Sequence, residues 1–270
     1  MIKNFLSIKL YPFIIKKNLS QTFLCDIKII NNIIKYICPK PGQSIIEIGP
    51  GYGAITKILL QAVGEIEIIE FDKNLINILK NNFFLYTGLN IYKANILFFD
   101  FYKLKKNENL RIIGNIPYNI STNLIFNIFK KIEIIKDIHF MLQKEVYLRI
   151  IANPGNKKRG ILSLIVQYYC KIFLLFDVPP NVFFPKPNVN STFIKLEPYK
   201  KLPYIAKNYN FFINLVKKSF LNRRKNLRNN LKGLIDESII YFIGIDPNRR
   251  PETLTIAEFV NLANGYLCMY

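Results

Sequence analysis

A doubly wound α/β domain followed by a small all-helical domain is the fold that this 270-residue chain predicts. Three observations carry it. Short apolar runs recur at 44–48, 66–69, 90–93, 111–113, 137–142, 171–177 and 191–197, with helix-length segments between the earlier ones. A glycine-rich loop follows the first run directly, Gly49-Pro50-Gly51-Tyr52-Gly53. After about residue 200 the strand pattern stops, and only helical stretches are expected, at 209–221, 224–231, 236–243 and 256–266. Strands that alternate with helices build a parallel sheet covered on both faces, because each crossover needs a helix to return the chain.

Taken in order, residues 1–17 are basic and partly apolar, but Lys9 and Pro12 interrupt any signal-peptide core and no small-residue cleavage site follows. A basic arm is expected there. The next segment, Ser20-Gln21-Thr22-Phe23-Leu24, reads on its own as the start of a helix. The run Ile45-Ile46-Glu47-Ile48 is a buried strand, and Ala54 to Leu60 the helix after the loop. The last strands look antiparallel, joined through the Pro-rich stretch 178–187. A linker at 198–203 sets the expected domains at 1–200 and 201–270. In the second, Thr255 with Glu258 forms a capping box, and Gly244 stops the helix before it.

Composition narrows the function classes. Half the residues are apolar, which excludes a disordered chain, and no apolar run approaches the roughly 18 residues of a membrane span. Lys and Arg number 38 against 18 Asp and Glu, a net charge of +20 that suits an anionic partner such as nucleic acid. The wealth of Ile, Asn, Lys, Phe and Tyr is the bias of an AT-rich genome, so clustered arginines weigh more than the total. Cys25, Cys38, Cys170 and Cys268 are scattered, indicating neither a zinc site nor a disulfide framework, and a reducing cytoplasm is expected. His139, the one histidine, reads as a packing residue in a strand.

The glycine loop lets a ligand approach main-chain N–H groups, and Glu70, about 20 residues on at the end of the next strand, can hold two ribose hydroxyls. An adenosine-type cofactor follows. Ala54 stands where a dinucleotide fingerprint wants its third glycine, and Glu47 would face a pyrophosphate unfavourably. A cofactor with an ammonium group, such as S-adenosylmethionine, suits an acidic rim; a hydrogen-bonded strand-end role for Glu47 stays equally open on that residue alone. Downstream, Gly114-Asn115-Ile116-Pro117-Tyr118 puts an amide acceptor, a rigid turn and an aromatic face together after a strand. Alone this is a strand-ending turn; beside a cofactor loop it suits a planar base bearing an exocyclic amine.

These blocks resemble, in order and along nearly the whole chain, the KsgA family of ribosomal RNA adenine dimethyltransferases. The series runs from Ser20–Leu24 through Glu47–Gly51, Ile69–Asp72, Gly114–Thr122 and Met141–Val146 to Val178–Pro180, Phe183–Ser191, Phe220–Lys225 and Gly244–Pro247. The resemblance implies a Rossmann-like class I methyltransferase domain and N6-dimethylation of two adjacent adenines near the 3′ end of 16S ribosomal RNA in the 30S particle. It places Asn115, Ile116, Pro117, Tyr118 and Phe183 around the base, Phe183 covering the face opposite Tyr118; without the family, Phe183 reads as loop packing. Cofactor contacts fall on Thr22, Leu24, Glu47, Gly49, Gly51, Glu70, Asn95 and Asn115, and an RNA grip on Arg223, Arg224, Lys225 and Arg228. Arg224 and Arg228 would share a helix face, with a solvated surface the competing reading. No metal is required, and a monomer is expected. Thr22, Asn95 and Asn190 depart from the family pattern, Asn95 standing where it has an acid, though an amide oxygen can still accept a hydrogen bond. A nicotinamide-dependent oxidoreductase, a DNA adenine methyltransferase and a non-catalytic ribosome-assembly factor are the competing functions.

Overall fold

A computed structural model of the chain describes residues 21–105 and 108–268. The basic arm expected at 1–17, and Ser20, lie outside the described residues. Two compact units are present: the segments up to Lys144 with Ile172–Pro198, and Glu145–Lys171 with the chain from Tyr199 onward.

The first unit is built on a seven-stranded sheet. Its elements are β1 (Phe23–Leu24), α1 (Ile27–Ile37), β2 (Ile45–Ile48), α2 (Thr56–Val63), β3 (Ile66–Glu70), α3 (Lys73–Asn82) and β4 (Leu89–Lys93). There follow β5 (Leu110–Asn115), α4 (Ser121–Phe129) and β6 (Ile135–Gln143). After an excursion through α5 (Lys144–Ile150) and α6 (Ile161–Tyr169), the chain adds β7 (Cys170–Val178), β8 (Phe183–Phe184) and β9 (Ser191–Pro198). The sheet order is β4-β3-β2-β5-β6-β9-β7. Strand β2 pairs parallel with β3 and β5, β3 with β4, and β5 with β6, as the alternation of strands and helices predicts, while β9 pairs antiparallel with β6. Strand order reverses between β2 and β5, whose residues Ile48 and Gly114 are register partners, so a crevice opens at their carboxyl ends.

Burial explains the sequence pattern. Ile45, Ile66 and Ile68 of the central strands pack with Ile30, Ile33 and Ile37 of α1 and with Leu59 and Val63 of α2. Two polar strand residues sit inside because they are paired. Arg111 donates through Nε to Asp137 at 3.0 and 3.2 Å, through Nη1 to Gln43 and through Nη2 to the Ile37 carbonyl. His139 is buried 3.5 Å from the Asp137 carboxylate and beside the Phe193 ring, the packing role read from its strand.

One expectation is corrected here. Residues 20–24 do not start a helix; Phe23 and Leu24 form β1, paired antiparallel with Phe184 and Phe183 of β8. The start of a helix moves to Ile27, where Asp26 accepts from the Lys28 and Ile29 amides.

The second unit contains α5 from Glu145, α6, α7 (Tyr209–Ser219), α8 (Leu227–Leu231), α9 (Glu237–Phe242) and α10 (Ile256–Leu267). The segment 145–171, expected with the first domain, thus groups with the C-terminal helices. The reason is side-chain packing: Tyr168 of α6 meets Phe212 of α7 with ring centroids 4.9 Å apart. The Thr255–Glu258 capping box forms, each side chain bonding the other's amide at 2.7 and 3.1 Å. Gly244 follows α9 at φ +85°, a backbone state open to glycine. Helix α8 begins at Leu227 rather than 224, because Asn226 caps it and Asn230 holds residues 222–225 in a turn.

Candidate active site

The crevice at the carboxyl ends of β2, β3 and β5 has a volume of about 210 Å³ and is lined by Thr22, Gly49, Gly51, Glu70, Asn95 and Asn115, among others. With Pro117, seven of the sequence-nominated residues therefore line one crevice. Glu47 and Leu24 line a smaller adjoining cleft that shares Thr22, Gly49, Gly51 and Asn115 with it. Gly49 and Gly51 both take positive φ, and a Cβ on Gly51 would lie 2.9 Å from the Phe23 ring. The loop can close under β1 because that carbon is missing.

Each carboxylate is held by a different device. Glu70 accepts from the Phe71 and Asp72 amides at 2.7 and 2.8 Å on one oxygen, and burial raises its pKa. Glu47 is 3% exposed and accepts from the Thr56 hydroxyl at 2.6 Å. Burial pushes its pKa up to about 7; the Thr56 bond pulls the other way and the Glu70 charge adds to the rise. No Lys or Arg lines the crevice or the cleft among the described residues. Buried acids without a facing base repel a pyrophosphate and favour a cationic ligand. The donor set thus fits an adenosine carrying an ammonium group and disfavours a dinucleotide.

Asn115 ends β5, and its Nδ2 donates to the Thr22 carbonyl at 2.9 Å. That bond orients the amide and leaves Oδ1 as its acceptor. Ile116 is fixed through its amide, which donates to the Met141 carbonyl of β6 at 3.2 Å. Pro117 opens a turn closed by the Ile120 amide. Tyr118 is half-buried, its hydroxyl 2.9 Å from Ser191 Oγ, and burial raises its pKa; neither it nor Ile116 is among the residues that line the crevice or the cleft.

Two nominated residues are placed otherwise than expected. Phe183 is 4% exposed and packs with Leu24, Val182 and Phe193 in the core, while its neighbour Phe184 is 44% exposed. In this arrangement Phe183 does not line the crevice, so a role against the base requires uncovering it. Asn95 caps the turn at 96–98: its Oδ1 accepts from the Leu97 amide at 3.0 Å. The oxygen expected to receive the cofactor's amine is engaged, and Nδ2 is the free end of the amide.

The nominated basic residues lie on the second unit. Arg223, Arg224 and Lys225 occupy the turn before α8, so Arg224 and Arg228 do not share a helix face as expected. Arg223 donates to the Lys157 carbonyl, and Arg228 pairs with Glu237 at 3.5 Å. The first contact brings the 156–158 loop, with Lys157 and Lys158, beside Arg223.

Sequence reading missed Thr56, Ser191 and Lys157. Ser191 closes the Phe-x-Pro-x-Pro-x-Val-x-Ser block and Lys157 sits in an Asn-Lys-Lys-Arg run, so each carried a signal. Thr56, in the turn-to-helix segment, carried none.

A family model described as ribosomal RNA adenine dimethylase matches residues 13–267. Ribosomal RNA small subunit methyltransferase A of Saccharophagus degradans is 46% identical over 250 residues, 92% of this chain and 93% of that protein. The protein of the same name from Vibrio cholerae is 45% identical, covering 92% of each. Among solved structures, a dimethyladenosine transferase from Plasmodium falciparum superposes with a TM-score of 0.76 at 24% identity, over 91% of this chain and 98% of that one. The 23S rRNA methyltransferase ErmE gives 0.68 at 18% identity, over 90% and 98%. At these identities the two structures speak for the fold, a class I Rossmann-like one.

Proposed function

Because the chain belongs to the ribosomal RNA adenine dimethylase family, we propose that its crevice holds S-adenosylmethionine and a flipped adenine of small-subunit ribosomal RNA. The observation that carries this reading is the Asn115 amide, which lines the crevice and is tied by Nδ2 to the Thr22 carbonyl, leaving Oδ1 to accept. Bound there, the cofactor supplies an electrophilic methyl on its sulfonium. The protein's part is to prepare the adenine amine, whose lone pair is otherwise delocalised into the ring. Asn115 Oδ1 and the Ile116 carbonyl accept its two hydrogens, drawing the nitrogen toward a tetrahedral geometry. Tyr118 stacks on the ring, a contact worth about 1–3 kcal/mol, and Ser191 holds the phenol in place. Alignment of the two reactants lowers such a barrier by roughly 7–11 kcal/mol. Asn115 is neutral and cannot act as a strong base, so the amine proton leaves to water.

The target is read as two adjacent adenines near the 3′ end of 16S RNA in a nearly complete 30S particle, in the cytoplasm, with the enzyme acting as a monomer. The names of the relatives support the small subunit. Incubating the protein with unmethylated 30S particles and labelled cofactor, then mapping dimethylated adenines, tests the reading; modification elsewhere, or none, overturns it.

Two predictions attach to this reading. Asn95→Asp keeps the cap at Leu97 and adds a second acceptor oxygen, so calorimetry should show S-adenosylhomocysteine binding about tenfold tighter. Unchanged affinity would remove Asn95 from the adenine subsite. For the RNA grip, Arg224→Gln and Lys225→Gln should each flatten the salt dependence of 30S binding by about 0.7–0.9 in log–log slope. A slope equal to that of the parent protein would assign these side chains to a solvated surface.

A further inference from the structure

Past the crevice wall the chain exposes aromatic rings that packing does not explain. Phe98 is 86% exposed and Tyr102 44%. Their backbone is well anchored. Asn95 caps the turn, Asn127 Nδ2 of α4 donates to the Leu97 carbonyl at 2.5 Å, and Phe99 packs edge-on against Tyr92 and Phe101. Phe99 and Phe101 take the buried side, which turns Phe98 outward on a fixed support. Cations gather at the same place. Lys130 Nζ donates to Asn127 Oδ1 at 3.1 Å, and Lys131 Nζ lies 4.0 Å from the centre of the Tyr102 ring. Two acids lie beside the same ring and keep their charge: Asp100 accepts from the Tyr102 amide and Glu133 from the Tyr102 hydroxyl.

The patch is continuous with the crevice. Asn95 and Leu97 line its wall on one side of Phe98, and Asn119 and Ile120 line it just before α4, whose nine residues span about 13 Å to Lys130. Exposed aromatic faces among lysines are the means by which proteins hold unpaired bases and their phosphates without reading sequence.

We infer that Phe98, Tyr102, Lys130 and Lys131 form an RNA-contact surface beside the crevice, taking a single-stranded stretch of ribosomal RNA that flanks the target adenine. Phe98 stacks on a base, and the two lysines face phosphates. This rests on the proposed function, and it assigns substrate binding to the sheet unit itself, apart from the basic turn at 223–225.

The test measures binding of the full-length protein to unmethylated 30S particles across a salt series. Phe98→Ala should weaken binding about tenfold with an unchanged salt slope, and Phe98→Leu, apolar but without a π-face, should weaken it as much. Phe98→Trp should restore it. Lys130→Gln and Lys131→Gln should each lower the slope by about 0.7. Because Phe98 is exposed, melting temperature and S-adenosylhomocysteine affinity should stay at the parent values, which separates the effect from misfolding. Parent-level 30S affinity in Phe98→Ala overturns the inference, as does Phe98→Leu restoring binding. A sedimentation change in Phe98→Ala with RNA affinity intact would assign the patch to self-association instead. Failure of the parent protein to methylate 30S while these affinity differences persist would overturn the function and leave the surface standing.

Discussion

Asn115→Ala is expected to lower the single-turnover rate of adenine methylation in 30S particles by about 10²–10³, the scale of removing one preorganised hydrogen-bonding group from a reacting centre. The loss has a specific cause. With Oδ1 gone, only the Ile116 carbonyl accepts from the adenine amine, and its lone pair stays conjugated with the ring. S-adenosylhomocysteine affinity should change by no more than a few-fold, since Glu47, Glu70 and the glycine loop are untouched. The Thr22 carbonyl loses its donor, a cost of about 1 kcal/mol in stability. Asn115→Asp keeps an acceptor but cannot donate to Thr22, so its rate should fall between those of parent and alanine variant. An alanine variant that methylates at the parent rate would remove the amide from the chemistry. If the variant still supports 30S assembly without methylating, binding and catalysis are separate activities of one protein.

The second large effect concerns Glu47 and pH. Its carboxyl is held near 7 by burial, so it is neutral in mildly acid solution and ionised above that. An ammonium-bearing cofactor prefers the ionised form and releases the proton on binding. Affinity for S-adenosylhomocysteine should therefore rise with pH up to about 7, by as much as tenfold per unit, and level off above it. Glu47→Gln, which can still accept from Thr56, should show a flat profile. Stability moves the opposite way in the free protein. The folded carboxyl titrates near 7 and the unfolded one near 4.5, so between those values the folded state binds the extra proton. Stability should fall by about 3 kcal/mol as pH rises through that window, then stay constant. Urea unfolding at pH 5 and pH 8 reads this difference, and Glu47→Gln should abolish most of it. A parent profile as flat as the variant's would mean that the carboxyl ionises normally.

The central strands were legible because they are short, mostly apolar runs, and a parallel strand buried on both faces leaves that trace, whereas the two-residue β1 and β8 leave none. Glu47, Glu70 and Asn115 were legible for a related reason: a polar residue at the end of such a run sits where the sheet opens. Phe183 was not, since a Phe-Phe pair in a Pro-rich loop does not say which ring faces inward; pairing of β8 with β1 decides it. Arg224 and Arg228 looked like helical neighbours until Asn226 capped α8 beyond the first of them.

By itself the sequence determined the order of the main strands and helices, the glycine-rich loop after β2 and the family, because each depends on residues adjacent along the chain. Tertiary structure alone decided which groups face the site residues: Thr56 on Glu47, the Thr22 carbonyl on Asn115 and Ser191 on Tyr118. It also decided that residues 145–171 join the C-terminal helices. The physical reason is common to both: a hydrogen-bond partner or a packing face is chosen by which surfaces meet after the chain has folded, and most of these partners come from strands and loops far apart in number.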